Sequence, residues 1–389
     1  MKKKLVSALL ISAMAVGMLA GCGGKDDSSA SNAGGGTAAA DTGSADAEVA
    51  EDNTRTVDYD SVSAESLKEE AQKIADSTDF SEAVEIEFAS AGKKGATDAS
   101  IFENWMEEVT ELSGGKITFN YYSDGSVGTD SDILPQVMDG TLDAGACGIG
   151  PLSQYSADLA NFQMPFLITD YELEYKACQT PEWQAILDAA EEATGCLKIV
   201  GQYDVGLRHF ASTKGPIETI DDMKGLKIRT ASTDILQEGM AAVGANPITT
   251  AYNEIYTSLQ NKVVDAEEVN YATFAGQSHF EIVKNFSEIG MYPYTCFIYF
   301  NSSVYDNLPE GYADLMQAVM NEQEYIYLTE TIVKADEESK QKCIDNGVAI
   351  NEVQDPEDFE AACAGLYDEY AAKSGLAKAF IEKVQSMKK

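Results

Sequence analysis

The fold is decided by the stretch VEIEFASAGKKGATDASIFENWMEEVTELSGGKITFNYYSDGSVGTDSDILPQVMDGTLDAGAC, residues 84–147. Two segments within it, 98–112 and 133–138, have the apolar periodicity of helices. Three strand-like runs flank them: 84–89, 117–122 and 142–147. Strands that alternate with helices predict βαβ units and mostly parallel sheets covered on both faces, which is an α/β fold.

Ligand sites in open α/β sheets lie beyond the carboxyl ends of the strands. Binding groups are therefore expected in the loops after four residues: Ala89, Cys147, Tyr203 and Ile228. Ser90, Cys147 and Gly148 become candidate ligand contacts. The glycine-rich run Gly145–Gly150 either gives a ligand close access to the backbone or forms an ordinary tight turn, and both interpretations stay open.

A segment without glycine or proline covers residues 312–346. As one continuous helix it would be on the order of 50 Å long at about 1.5 Å per residue. This length exceeds the depth of one domain, so the helix is expected to span two. Gly347 is placed to end it, and Asp355 with Pro356 predicts the start of a final helix.

The N-terminus has the pattern of a secretory signal. Lys2, Lys3 and Lys4 precede a mostly apolar run over 5–19 that is too short to span a membrane. The sequence LAGC that ends at Cys22 resembles the lipobox of bacterial lipoproteins. The resemblance implies a signal peptide over 1–21 and a diacylglyceryl group on Cys22, and two acyl chains suffice for stable anchoring. The alternative is an ordinary secreted protein with a chance cysteine.

A tether is expected after Cys22. Residues 23–54 are nearly all small or polar, a composition that favours a flexible linker. A short helix is predicted over 63–76, with one apolar face and no identifiable partner. The anchored tether with this helix is assigned to residues 22–82.

The charge excludes some partners. The 389 residues carry a formal net charge of −38. Apart from the Lys2–Lys4 run of the predicted signal, the sequence lacks clustered Lys and Arg of the kind that phosphate contacts need. Nucleic acid is therefore excluded as a partner, and so is docking on anionic lipid through a basic patch. Two to three domains are expected from the length.

Enzyme, metal and cofactor signatures are absent from the sequence. It has no GxSxG, HExxH, GxxxxGK[ST] or GxGxxG motif and no CxxC pair. His209 and His279 are expected to be structural, and no cofactor is predicted. A disulfide such as Cys178 to Cys196 and buried free thiols remain equally open for the cysteines after Cys22.

Arginine usage is the informative feature. The chain has 24 lysines but only three arginines: Arg55, Arg208 and Arg229. The last two follow β-rich runs. A guanidinium matches a carboxylate in bidentate fashion, which lysine cannot do. These two arginines indicate either a carboxylate ligand or structural ion pairs, and the residues alone do not decide between them.

Six fragments occur in one order along the chain: SGGKITFNYYSDGSVGTD, VMDGTLDAG, QMPFL, DMKGLKIRT, VGANPITTAYNEIYTSLQNKVVDAEEVN and NLPEGYADLM. Together they resemble the DctP-type solute receptors of TRAP (tripartite ATP-independent periplasmic) transporters, from about residue 84 to the C-terminus. The resemblance implies a two-domain periplasmic-binding-protein-like fold with hinge strands and one long domain-spanning helix. The expected domains comprise residues 83–205 with 296–334, and 206–295 with 335–389.

The resemblance also implies site residues. Arg229 of GLKIRT is expected to pair with the ligand carboxylate, and Arg208 corresponds to a second arginine present in many members. Tyr252 stands where members place an aromatic against the ligand, and a plain core aromatic is the alternative. Asn270 matches the family's asparagine only with a one-residue insertion, because Val269 intervenes.

The implied function is that of a non-enzymatic receptor, lipid-anchored at the extracytoplasmic face of the cell membrane, which passes an organic acid to TRAP membrane subunits. A sensory receptor for a membrane signalling partner is an alternative, and a surface hydrolase is a third hypothesis. Smaller or more apolar acids are favoured because the loop Gly148-Ile149-Gly150 lacks the acidic residue of sialic-acid-binding members. The individual ligand and the oligomeric state are left undetermined.

Overall fold

The structure is a computed structural model that describes residues 63–388. These residues belong to one compact unit. The signal peptide predicted over 1–21, the lipidation predicted at Cys22, the linker over 23–54 and Arg55 lie outside the described residues.

Fourteen helices are assigned within the described residues. They are α1 (Ala64–Ser77), α2 (Thr97–Leu112), α3 (Asp130–Met138), α4 (Ile149–Ser153), α5 (Tyr171–Cys178), α6 (Pro181–Thr194), α7 (Asp234–Ala242), α8 (Ile255–Gln260), α9 (Tyr271–Gly276), α10 (Ser302–Asp306), α11 (Tyr312–Ile326), α12 (Ile332–Asp345), α13 (Pro356–Lys373) and α14 (Gly375–Met387). Short 3₁₀ segments occur at Ala157–Gln163, Ile220–Met223, Tyr252–Glu254 and His279–Glu281, and a π-helical turn occupies Tyr327–Thr331.

Eleven strands are assigned in the same part of the chain. They are β1 (Val84–Ser90), β2 (Ile117–Tyr122), β3 (Ala144–Gly148), β4 (Leu197–Leu207), β5 (His209–Ser212), β6 (Lys227–Thr230), β7 (Asn246–Thr249), β8 (Ala266–Val269), β9 (Asn285–Glu288), β10 (Pro293–Asn301) and β11 (Ala349–Glu352). The α/β alternation predicted over 84–147 is confirmed. Strand β3 begins two residues later than predicted because Asp139 accepts the N–H of Thr141 in a turn before it.

The strands form two sheets. The first has the order β2-β1-β3-β10-β4 and the second the order β11-β9-β5-β8-β6-β7. The expectation of mostly parallel sheets holds for β1 with β2 and β3 and for β6 with β7 and β8. Strands β10 and β5 are antiparallel to their neighbours. They run the other way because the chain enters them directly from the opposite sheet, without a crossover helix.

Two segments connect the sheets and lie side by side. Arg208 joins β4 to β5, and residues 289–292 join β9 to β10. The N–H of Arg208 donates to the carbonyl of Tyr292 and its carbonyl accepts from the N–H of Met291, both at 2.8 Å. The expected hinge strands are therefore a hydrogen-bonded pair, and Arg208 lies in one of them.

The long helix predicted over 312–346 is confirmed in extent but interrupted. Helices α11 and α12 are separated by the π-helical turn Tyr327–Thr331. Helix α11 packs on α2 and β4 beside the first sheet, whereas α12 packs on α9 beside the second. The helix therefore spans both halves, and Gly347 follows its end with a φ of 77°.

The short helix predicted over 63–76 is α1, and the structure identifies its partner. Leu67, Ala71 and Ala75 form its buried face, and the helix packs on α11. The ring of Phe80 lies 5.1 Å from that of Tyr312, whose hydroxyl donates to the carbonyl of Glu82 at 2.6 Å. This part of the segment assigned to the tether is thus packed on the folded body.

The C-terminal helices also connect the two halves. Helix α13, which begins at Pro356 as predicted, packs on α7, while α14 packs on α6. Their apolar residues join one buried cluster that runs through both halves. Two further clusters cover the outer faces of the two sheets. Over residues 63–388, no helix has both the length and the apolar character needed to cross a bilayer.

Candidate functional site

A cleft lies between the two sheets, at the carboxyl ends of β1, β3 and β6. It consists of two adjoining cavities of about 410 and 80 Å³. Residues that line both are Ala91, Asp130, Arg229, Tyr252 and Tyr294. The position agrees with the expectation that the site lies beyond the strand ends.

The structure brings six of the seven predicted site residues to this cleft. They are Ser90, Cys147, Gly148, Arg208, Arg229 and Tyr252, and all six line the smaller cavity. Asn270 is fully buried beside it. Its Oδ1 caps the first turn of α9 by accepting the N–H of Thr273 at 3.3 Å, and it lies 3.4 Å from Nη1 of Arg208. Asn270 therefore holds Arg208, and its direct contact with a ligand stays a prediction.

Arg208 is buried and held on several sides. Its Nε donates to Oε2 of Glu268 at 2.5 Å and its Nη2 to Oε1 at 3.2 Å, which is a bidentate pair. The guanidinium carbon lies 4.4 Å from the ring centre of Tyr294. Burial opposes the charge, but the carboxylate of Glu268 outweighs it and the pKa of Arg208 is raised above its ordinary value. The cation is permanent.

Arg229, at the end of β6, is buried as well. Its Nε and Nη2 donate to the carbonyl of Thr250 at 3.1 and 2.9 Å. Its Nη1 lies 3.5 Å from Oε1 of Glu268. A guanidinium has five N–H donors, so both arginines keep donors that these contacts do not use.

Glu268 connects the two arginines. Besides them, it accepts the N–H of Ala231 at 3.0 Å and the hydroxyl of Tyr292 at 2.8 Å. Successive residues of a strand point to opposite faces. The preceding Glu267 therefore faces away from the arginines and pairs with His279 at 2.9 Å. We call Arg208, Arg229 and Glu268 together the arginine wall.

The arginines form structural ion pairs, which is one of the alternatives left open. They also line the cleft, where pairing with a ligand carboxylate stays a prediction. Two guanidiniums face one carboxylate here, which leaves a net positive charge in a buried position. Buried charge of one sign is costly unless it is paired, so this wall is suited to an anion.

The opposite side of the cleft is formed by the first sheet and its helices. Asp98 lies in the first turn of α2, Asp130 begins α3, and Ser90 ends β1. Oδ2 of Asp130 accepts the N–H of Gly148 at 3.0 Å, and the Ser90 and Tyr121 hydroxyls lie 2.8 Å apart. We call Ser90, Asp98 and Asp130 the acidic wall.

Burial disfavours the ionised form of the two carboxyl groups in the acidic wall. Burial raises the pKa of Asp98 to about 6, and the neighbouring Asp130 and Glu103 raise it further, while the N–H groups of Asp98 and Ala99 oppose the change. Burial also raises the pKa of Asp130, against the N–H of Gly148. Desolvation disfavours the charged form of a carboxyl in this way.

Tyr294 and the glycine-rich run meet at the centre of the cleft. A Cβ on Gly148 would lie 2.7 Å from the Tyr294 hydroxyl. A Cβ on Gly150 would lie 2.3 Å from Oγ of Ser232, which belongs to the loop after β6. Glycine thus allows the first half to approach both Tyr294 and the second half closely. Gly148 also lines the cavity, which supports the interpretation of backbone access.

Tyr252 lines both cavities, and its hydroxyl accepts from Nε2 of Gln277 at 2.8 Å. Burial raises its pKa above the ordinary value. The position supports the predicted aromatic contact over the plain core alternative.

The histidines have structural surroundings. Nδ1 of His209 accepts the N–H groups of Ile289 and Gly290, both at 3.0 Å, and burial lowers the pKa of this imidazole to about 4. His279 is buried against Glu267. The structural role expected for both agrees with these contacts. Within residues 63–388, no cluster of His, Cys, Asp and Glu could hold a metal ion. Cys178 and Cys196 are free thiols.

Four residues of the cleft were not identified from the sequence: Asp98, Asp130, Glu268 and Tyr294. Glu268 lies in the fragment VDAEEVN, but the pattern does not indicate which glutamate faces the arginines. Asp98 and Asp130 each lie at the start of a helix that follows a strand, and this position is the sequence signal that could have identified them.

Comparisons with known proteins agree with this architecture. The DctP family model, described as bacterial extracellular solute-binding protein, family 7, matches residues 88–374. A solute-binding protein of Chromohalobacter salexigens is 27% identical over 287 residues, which are 73% of this chain and 83% of that protein. The C4-dicarboxylate-binding periplasmic protein DctP of Vibrio cholerae is 24% identical over 224 residues, 58% of this chain and 66% of that protein.

Solved structures show the same fold. A TRAP periplasmic solute-binding protein from Chromohalobacter salexigens with bound D-glucuronate has a TM-score of 0.73 at 23% identity, covering 78% of this chain and 100% of that one. One from Fusobacterium nucleatum with bound sn-glycerol-3-phosphate has a TM-score of 0.71 at 26% identity, covering 78% and 98%.

The two-sheet fold, the cleft with its paired arginines and the family match over most of the chain lead to one conclusion. This protein belongs to the DctP family, the bacterial extracellular solute-binding proteins of family 7, and is a solute receptor of the TRAP type.

Proposed function

We propose that this protein binds the carboxylate of an organic acid at the arginine wall and delivers the acid to a TRAP membrane permease. The observation that carries the proposal is the pair of buried arginines that share one glutamate inside a cleft between two α/β halves. Family membership supports the transport role.

The arginine wall explains how an anion is preferred. Its net positive charge lies where closure of the cleft excludes water, and charge–charge interaction strengthens as the effective dielectric falls. The ligand carboxylate accepts the remaining N–H donors of Arg229 and Arg208. Thr250 and Glu268 fix the orientation of both guanidiniums, so little ordering is required on binding.

The relatives support an anionic ligand but not one class of anion. Solved structures carry D-glucuronate, β-D-galacturonate or sn-glycerol-3-phosphate, and one relative is named for C4-dicarboxylates. The preference for small or apolar acids was based on the loop Gly148-Ile149-Gly150 alone. Since Ser90, Asp98 and Asp130 add polar groups from other elements, that argument no longer applies.

We place the protein at the extracytoplasmic face of the cell membrane, anchored by lipid on Cys22 after removal of residues 1–21. The basic and apolar start of the sequence and the LAGC motif support this assignment. Fractionation of cells that express the Cys22→Ser variant tests it. We expect the variant to be released or retained unprocessed, and equal membrane content in the mature form would contradict the anchor.

No catalytic step is part of the proposal. The family is one of receptors, and the buried histidines are engaged in structural contacts. Transfer of the bound acid to the permease is the only process required.

The arginine pairing is tested by calorimetric titration of Arg229→Ala and Arg229→Lys with D-glucuronate, D-galacturonate and succinate. We expect Arg229→Ala to abolish binding and Arg229→Lys to weaken it by about 100-fold, because bidentate geometry is lost. Lys227→Ala is the matched control, since Lys227 is an exposed cation on the same strand. Unchanged affinity in both Arg229 variants would refute the proposal.

A further inference from the structure

The cleft contains negative groups that a site for anions does not require. Asp98 and Asp130 line the same small cavity as Arg208 and Arg229. A ligand carboxylate placed there is attracted by the arginines and repelled by two acids. The acidic wall therefore either weakens ligand binding or recognises a part of the ligand other than its carboxylate.

The two walls belong to different halves of the protein. Asp98 and Asp130 are presented by α2 and α3, which flank the first sheet, whereas Arg229 lies on β6 of the second sheet. A ligand that contacts the arginine wall with its carboxylate presents its other end to the acidic wall when the cleft closes.

The chemistry of the acidic wall defines that other end. A buried carboxyl left without a donor loses its hydration with no compensation. Oδ2 of Asp130 already accepts the N–H of Gly148, and the N–H groups of Asp98 and Ala99 favour the ionised form of Asp98, but each carboxylate has acceptor sites beyond these. An apolar acid would leave those sites without a donor after closure. A ligand with hydroxyl groups supplies the donors, and a hydrogen bond to a charged acceptor is stronger than one between neutral groups.

We infer that the ligand is a polyhydroxylated carboxylic acid and that Asp98 and Asp130 determine this specificity by binding its hydroxyl groups. The inference rests on the proposed function, because it assumes that the carboxylate is held by Arg229. It assigns the ligand class to two residues outside the arginine wall.

Hydroxyl groups fit this wall better than an ammonium group does. Ser90 lies in the same wall, and its hydroxyl, which lies 2.8 Å from that of Tyr121, can both donate and accept. A ligand hydroxyl has the same dual capacity, whereas an ammonium only donates.

The test compares two ligands of similar shape. D-Glucuronate and cyclohexanecarboxylate both place a carboxylate on a six-membered ring, but only the first has hydroxyl groups. We expect the mature protein to bind D-glucuronate or D-galacturonate at least about 100-fold more tightly than cyclohexanecarboxylate, because a site built for hydroxyl groups rejects analogues that lack them.

The same titrations with Asp98→Asn and Asp130→Asn assign the effect to the acidic wall. Each variant is expected to reduce the ratio of the two affinities by about tenfold, as a charge-assisted bond becomes a neutral one. The ratio within one variant is independent of the fraction of folded protein. Glu107→Gln, an exposed acid on α2, is the matched control and should leave the ratio unchanged.

Three results would overturn the inference. Equal affinity for both ligands would show that hydroxyl groups are not recognised. An unchanged ratio in both Asp variants would remove these residues from the specificity. Tighter binding of an amino acid such as glutamate than of either uronate would assign the acidic wall to an ammonium group. If carboxylates bind but Arg229→Ala has no effect, the proposed function itself fails.

Discussion

The two walls of the cleft differ in how far their polar groups are already paired. In the arginine wall, Arg208, Arg229 and Glu268 hold one another, and Thr250, Tyr292 and Asn270 complete the network. In the acidic wall, Asp98 and Asp130 face the cavity with raised pKa values. The arginine wall is organised before a ligand arrives, whereas the carboxyls of the acidic wall have further acceptor sites that, under the proposal, the ligand fills.

One cleft can thus combine stability with selectivity. The mutual contacts of Arg208, Arg229 and Glu268 stabilise the protein without ligand and fix the geometry of the charge, while other guanidinium N–H donors are unused by these contacts. Buried carboxyls with unused acceptor sites cost stability in the empty protein and favour ligands that supply donors. The three predictions below test this contrast, from the largest effect to the smallest.

Removing the charge of Glu268 should break the arginine wall. In Glu268→Gln, two buried guanidiniums lose their shared carboxylate, so the free energy of unfolding should fall by about 3 kcal/mol. Urea denaturation at neutral pH measures the change.

Glu192→Gln provides the matched control, because Glu192 is an exposed glutamate on α6 and its loss of charge should leave stability nearly unchanged. If Glu268→Gln unfolds at the same urea concentration as the native protein, the arginine wall is not a stabilising network. The contrast between the walls would then be lost.

A methyl group at Gly148 should disturb the contact between the glycine-rich run and Tyr294. Its Cβ would lie 2.7 Å from the Tyr294 hydroxyl, and Tyr294 stacks on Arg208. The φ of Gly148 is −62°, so the effect is steric and not a backbone strain. Overpacking of this kind costs about 1–3 kcal/mol, and ligand affinity should fall by about tenfold in calorimetric titration.

A second substitution tests whether the Tyr294 hydroxyl is the group with which the new methyl group clashes. Tyr294→Phe removes the hydroxyl and should restore part of the affinity in the Gly148→Ala background, which a double-mutant cycle detects as coupling. Strict additivity of the two substitutions would show that Gly148 acts through something other than Tyr294.

The smallest expected effect is on the stability of the ligand-free protein when a carboxyl of the acidic wall is removed. Asp98 has a folded-state pKa of about 6 against an ordinary value of 3.8, so between these values the folded state binds more protons than the unfolded state. Stability therefore falls as pH rises through this window and stays reduced above it. Asp98→Asn should raise the free energy of unfolding by on the order of 1 kcal/mol at pH 8.

The pH dependence separates this effect from ordinary surface changes. The gain should disappear near pH 3, below the ordinary value of 3.8, where the native carboxyl is protonated in both states. Thermal unfolding without ligand at pH 3 and pH 8 measures it, with Glu107→Gln as the control on the same helix. A gain that is equal at both pH values would contradict the assignment of the raised pKa.

Much of the fold was predictable because it depends on local patterns. The strands over 84–122, the helix over 98–112, the extent of the long helix and the start of α13 follow from periodicity and from glycine and proline positions. Arg208 and Arg229 were identifiable because arginine is rare in this chain. The antiparallel strands β5 and β10 were not, since their direction depends on the pairing between distant segments.

The missed residues of the site have a similar explanation. The choice between Glu267 and Glu268 is a matter of strand phase, which sequence alone does not fix. Asp98 and Asp130 became part of the site only through the closeness of α2 and α3 across the first sheet. Asn270 was assigned to the ligand, and this contact stays a prediction. Its Oδ1 caps α9 and lies against Arg208, a role that sequence cannot separate from ligand contact because a cap and a ligand contact require the same residue type.

The position of Arg208 between β4 and β5 has a mechanical consequence. Its main chain is hydrogen-bonded across the two segments that connect the halves, while its side chain lines the cleft. The residue proposed to hold a ligand carboxylate therefore also lies in one of the two main-chain connections between the sheets. Any rotation between the halves would turn about these segments, so it would displace Arg208 less than Arg229 or the acidic wall, which belong to opposite halves. We therefore expect ligand release to depend on the separation of Arg229 from the acidic wall.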